Sequence, residues 1–125
     1  MKGYLIDVHN GRHGGVEIND SESHLEQFYR LIDCRCIDIA VRKIGGRPYN
    51  IVVDDEGLLV DDPIVSAIDG GGRGMLVGNL PVFGMADDMD LATLTPDDIH
   101  NIKDNLMTAI DADNERVYPV AMMGY

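Results

Sequence analysis

Apolar and polar positions alternate loosely from Lys2 to Val8, and the turn-forming run HNGRHGG separates them from a second short alternation at Val16 and Ile18. This predicts a hairpin. Asp20 or Ser21 stands where a helix cap belongs, and Leu25, Phe28, Tyr29 and Ile32 then recur at helical spacing, which predicts a helix over residues 22–33. From Cys36 to Ile44 the period drops to two, with Ile37, Ile39 and Val41 on one face and Asp38, Ala40 and Arg42 on the other. Gly45 and Gly46 turn the chain, and Tyr49, Ile51 and Val53 resume the alternation as a second hairpin.

The pair Asp62-Pro63 is a helix-start signal and predicts a short helix over residues 64–68. MLVGNLPVF, residues 75–83, reads as one core or edge strand, and Pro81, which has no amide to donate, suggests an edge or a bulge. Thr95 caps the next segment, Pro96 opens it, and Asp97 and Asp98 face the positive helix end. Ile99, Ile102, Leu106, Met107 and Ile110 extend that helix as one apolar stripe to residue 110. The tail after Asn114 is expected to be flexible, with Val117, Tyr118 and Val120 as a candidate edge strand. Helices interspersed among hairpins define an α+β class: one domain over residues 1–125, a mostly antiparallel sheet of about five strands, and two main helices packed on one face.

Length allows one core and no more, since 125 residues is the usual size of a single domain. With 45% hydrophobic and 26% charged residues, the composition is that of a folding chain. No apolar run nears the roughly 18 residues that span a bilayer, so a soluble cytoplasmic protein without membrane contact is expected. Cys34 and Cys36 are expected as reduced thiols. The net charge of −12 is unevenly placed: residues 1–53 hold seven acids and seven bases, residues 54–125 fifteen acids and three bases. Such a field repels a phosphate backbone, which argues against direct nucleic-acid binding and favours a basic partner.

The opening KGYLID, the strand pair IDIAVRKIGGRPYNIVVDDEGLL, then GMLVGNLPVFG and LATLTPDDI together resemble the small domains of phages and mobile elements grouped as domain-of-unknown-function family 3846. The resemblance covers roughly residues 2–106, while residues 9–15 and the DGGGRG segment look peculiar to this chain. It implies a fold outline and a setting, with no activity or catalytic residue to carry over. Members often lie near antirestriction genes, which implies an accessory protein acting on host systems in the cytoplasm of the host cell.

Two sets of residues are candidates for binding. Asp54, Asp55, Glu56, Asp61 and Asp62 flank one loop, Asp87, Asp88 and Asp90 another, and Asp97 and Asp98 open the final helix. As one acidic face they would imitate nucleic-acid phosphates and block the basic surface of a host defence protein; solubility is the plainer account of the same charge. Alternatively, Gly70, Gly71, Gly72, Arg73 and Gly74 offer amides and a guanidinium to phosphate, with Arg42 and Arg47 as further cations. That would make a sponge for a nucleotide-like immune signal, housed in a homo-oligomer or a deep pocket. The spacing matches neither GxGxxG nor GxxxxGK[ST], and a flexible loop explains it as well. A structural or assembly factor of the mobile element is the third class. His9 and His13 stand four apart among glycines, where ligand spacing has no helical meaning, and nothing local activates Cys34 or Cys36 toward His24 or His100. Non-catalytic binding, with no metal or cofactor, is the expectation.

Overall fold

In the computed structural model, which describes residues 1–125, the first hairpin pairs β1 (Lys2–Asp7) with β2 (Arg12–Glu17), Tyr4 opposite Gly15 and Asp7 opposite Arg12. Asp7 fastens its own turn by accepting from the Asn10 amide and side chain at 3.1 and 2.9 Å. Helix α1 (His24–Ile32) is capped by Ser23, not by Asp20 or Ser21, and ends where Asp33 turns left-handed at φ 61. The second hairpin joins β3 (Ile37–Ile44) to β4 (Arg47–Asp54) in unbroken register. At its tip Gly45 and Gly46 both take positive φ, which a two-residue hairpin turn asks of its central pair.

Beyond Asp54 the chain departs from the expected elements. The helix expected over 64–68 is strand β5 (Val65–Ile68): Asp62 sits at φ 54, so it cannot serve as the extended cap of a helix, and the β-branched Val65 and Ile68 find strand partners instead. The single strand expected over 75–83 is two, β6 (Gly74–Val77) and β7 (Leu80–Met85), parted by Gly78 at φ 77 and sent to different sheets. Nor is β7 an edge, because it lies between β1 and β4. Pro81 stands opposite Leu5 of β1, and the ladder to β4 is confined to Val82 and Phe83, so the missing amide falls where no ladder bond is made to β4.

After the short β8 (Leu91–Ala92), α2 (Pro96–Asp104) ends six residues early, and Leu106–Asp111 forms strand β9. Met107 and Ile110 are exposed there, not part of a buried stripe. The tail carries a strand that is not an edge: β10 (Arg116–Met122) pairs antiparallel with β9 on one side and parallel with β5 on the other.

Instead of one sheet of about five strands there are two, a six-stranded one in the order β2-β1-β7-β4-β3 with β8 beside β7, and a four-stranded one in the order β6-β5-β10-β9. Every pairing but β5–β10 is antiparallel, so the α+β class with a mostly antiparallel sheet stands. The helices do not share a face. Alternate residues of a strand point to opposite sides, and Val52 and Phe83 pack with Phe28 and Ile32 of α1, whereas Tyr49, Ile51, Leu80 and Val82 pack with Ile102 of α2. Ala67, Ala121 and Met123 of the smaller sheet and its flank join the second of these clusters, giving a small single domain with one main core between two sheets. No helix is long and apolar enough to cross a membrane.

Ending the chain at Asn114 is expected to abolish cooperative thermal unfolding followed by circular dichroism, because it removes β10 from the middle of its sheet and Val120, Ala121 and Met123 from the interior. A truncated chain that still melts cooperatively near the full-length midpoint would contradict this account of the core.

Candidate functional site

β4 ends at Asp54, whose carboxylate accepts from the Glu56 amide at 2.9 Å and fastens the root of the loop leading to β5. The loop makes one 3-10 turn over Gly57–Leu59. A Cβ on Gly57 would stand 2.9 Å from Val77 Cγ2, so the turn's backbone sits tight against β6 while the next side chains project outward. Leu58, Leu59 and Val60 are 77%, 80% and 51% exposed. Asp54, Asp55 and Glu56 precede them and Asp61 and Asp62 follow. Three consecutive exposed apolar side chains thus stand between two acidic flanks, which makes this tip a candidate interaction surface. Hollows of about 430 and 380 Å³ adjoin this tip; Asp33, Cys34, Arg35 and Leu59 help line the first, and Leu58, Met75 and Val77 the second.

The other predicted acids lie elsewhere. Asp87, Asp88 and Asp90 occupy the turn between β7 and β8, where Asp88 accepts from the Asp90 amide at 3.1 Å. Buried Asn50 anchors that turn by donating to the carbonyls of Gly84 and Met89 at 3.3 and 3.2 Å. Asn50 and Asp54 are four strand residues apart, roughly 13 Å at about 3.3 Å per residue. The loop at 54–62 thus leaves the C-terminal end of β4, whereas the turn at 87–90 is anchored on the middle of that strand, so the acids are carried by separate loops.

Asp98 is committed to the fold. It completes a capping box with Thr95 through bonds of 2.9 to 3.1 Å, accepts from the Tyr49 hydroxyl at 3.0 Å and pairs with Arg47 at 3.6 Å. Burial pushes its carboxyl up, but the bonds from Thr95 and Tyr49 and the Arg47 charge outweigh burial and hold it below the usual carboxylate range. Asp97, beside it, stays exposed at the helix start.

Asp69 does to the glycine segment what a phosphate was expected to do. Its carboxylate accepts from the amides of Gly71 and Arg73, both at 2.9 Å, and its carbonyl accepts from the amide of Gly72 at 3.0 Å. The segment is thus a closed turn between β5 and β6 in which the amides of Gly71, Gly72 and Arg73 are already taken. Arg47 belongs to Asp98, and the Arg42 guanidinium lies 4.8 Å over the Tyr125 ring. Arg42 and Arg47 are thus engaged by Tyr125 and Asp98.

Burial and the nearby Asp54 charge push the Cys34 thiol up to about 11, and a hydrogen bond to Glu56 raises Cys36, so both are thiols rather than thiolates at neutral pH. His24 hydrogen-bonds Asp20 at 2.9 Å, and His100 stands 3.4 Å from the Asp104 carboxylate. Reading the sequence by charge overlooked the apolar tip; its signal was an apolar run with neither helical nor alternating period, set between pairs of acids.

A model of the family described as Domain of unknown function (DUF3846) matches residues 1–107. No curated protein and no solved structure matches the chain.

The lowered Asp98 carboxyl sets a pH dependence. A group depressed on folding stabilises the native state above its unfolded pKa of about 3.9, and the contribution is lost as pH falls through the folded value. Asp98→Asn is expected to cost about 0.5–2 kcal/mol at pH 7 in urea unfolding, the usual range for a helix cap. The gap from wild type should narrow below about pH 4; a gap that is constant from pH 7 to pH 3 would remove the charge from the explanation.

Proposed function

The chain belongs to this family of unknown function, and on that premise we propose from its geometry that it is a non-catalytic binding protein that docks on a basic partner through the loop 54–62. Leu58, Leu59 and Val60 enter an apolar recess of the partner, while Asp54, Asp55, Glu56, Asp61 and Asp62 meet the lysines and arginines around it. The observation that carries this reading is the exposure of three consecutive apolar side chains with carboxylates on both flanks. Asp87, Asp88, Asp90 and Asp97 contribute to the long-range field rather than to the contact, and Asp98 is left out because it serves the fold. The phage and mobile-element setting implied by the family resemblance makes a nucleic-acid-handling host defence protein the partner class, with the chain as its inhibitor in the host cytoplasm. Sequestration of a nucleotide signal has less support, since Asp69 already occupies the amides of Gly71, Gly72 and Arg73.

The test is affinity capture from host cells at low salt with wild type, Leu58→Ser/Leu59→Ser, Asp61→Asn/Asp62→Asn and Asp87→Asn/Asp88→Asn, followed by titration of the purified partner. The leucine pair is expected to weaken binding by about 30-fold or more, the scale of a hot-spot truncation near 2 kcal/mol. Neutralising Asp61 and Asp62 should slow association and flatten its salt dependence. Substitutions at 87 and 88 should change affinity little. A partner whose affinity ignores both loop variants would overturn the proposal.

A further inference from the structure

The four-stranded sheet ends at β9, which has β10 on one side and no strand on the other. Natural edges are blunted by charge, proline, bulges or brevity. The other three edges of this protein show such devices. β3 carries Asp38, Arg42 and Lys43, and Gly124 closes its far end through two bonds of 2.7 and 2.8 Å at Lys43. β2 carries Arg12, His13 and Glu17, and β6 has four residues with a shifted register. In contrast, β9 reads LMTAID, pairs with β10 in six consecutive positions without a shift, and has no charge before its last residue. Met107 and Ile110 on it, and Val117 opposite Ile110, are 43%, 76% and 57% exposed.

The occupant follows from charge and pairing. On a chain of net charge −12 the neutral stretch Leu106–Ile110 is an edge where a second copy meets no like charge. We propose that β9 pairs antiparallel with β9 of a second copy, about a two-fold axis through Thr108. Residues directly opposite in an antiparallel ladder share a face, and a two-fold normal to the sheet preserves faces, so the numbers of paired residues must sum to an even value. With Thr108 on the axis, Met107 meets Ala109 of the second copy and Leu106 meets its Ile110. Asp111, the one charge, falls beside Asn105. Centring on Ala109 instead would set Met107 against Asp111, and centring on Met107 would set Asp104 against Ile110, so the pattern selects Thr108. The product is a continuous eight-stranded sheet built from two four-stranded ones.

Each copy repels the other through its net charge, so this association strengthens as salt rises, opposite in sign to the docking of a basic partner. The two proposals therefore fail separately. Sedimentation velocity of the full chain across a concentration series should show a monomer–dimer equilibrium with more dimer at higher salt. Thr108→Lys and Ile110→Lys replace exposed side chains and set like charges across or beside the axis; both should stay monomeric where wild type dimerises, with an unchanged circular dichroism spectrum. Hydrogen exchange on unaltered protein gives a reading free of substitution: amides within 106–111 should slow as concentration rises. A wild type that remains monomeric at every concentration, a dimer that survives both lysines, or β9 amides indifferent to concentration would each overturn the pairing.

Discussion

The fold depends on where the last strand goes. β10 brings Met123 within 2.8 Å of the Ile68 carbonyl, and the next residue, Gly124, exchanges two bonds with Lys43 on the edge of the larger sheet. The smaller sheet is thereby tied to the larger at backbone level, and the core between them is closed by Ala67 from one and Ile51 and Val82 from the other. The pairing of β5 with β10 is parallel, and parallel neighbours need a long connection. Here that connection runs through β6, β7, β8, α2 and β9, so the strand that completes the core is also the last to be made. Residues 108–125, beyond the stretch matched by the family, contain all of it.

How well sequence predicted structure followed the range of the interactions involved. Both early hairpins and the start of α2 were legible because their causes are local: glycines that accept positive φ at 45 and 46, alternation along Ile37, Ile39 and Val41, and the Thr95 cap; α1 was legible by its periodicity, but its cap is Ser23 and not Asp20 or Ser21. The end of α2 was not, because Leu106, Met107 and Ile110 satisfy a helical period as well as they satisfy a strand. What decides the matter is β10, which stands opposite them only after the chain turns at residues 112–115. Gly78 divided MLVGNLPVF for a similar reason, sending β6 and β7 to different sheets that the sequence gives no local sign of. Pro81 points to an edge or a bulge by its missing donor alone, whereas a central strand tolerates it where a ladder has already stopped.

The candidate site was legible by residue type and illegible by allegiance. A count of carboxylates cannot separate those that face outward from those that hold the chain. Asp98 braces the start of α2 against Tyr49, and Asp7, Asp69 and Asp111 each close a turn by accepting from amides a few residues on. Short acidic side chains favour this local bonding, which competes with any external ligand for the same oxygens and amides. Glycine-rich and aspartate-rich loops therefore overstate how much of themselves they offer to a partner.

Distance sharpens that distinction. At physiological ionic strength the screening length is about 8 Å, shorter than the roughly 13 Å of strand between Asn50, which holds the turn at 87–90, and Asp54 at the root of the exposed loop. A partner touching one acidic cluster feels the other only weakly. The loop at 54–62 therefore cannot rely on summed charge for affinity. What it adds is contact, three apolar side chains held outward by a turn pressed against Val77, and their desolvation does not fade with salt. In the docking we propose, charge sets how fast a partner arrives and the apolar tip sets how long it stays.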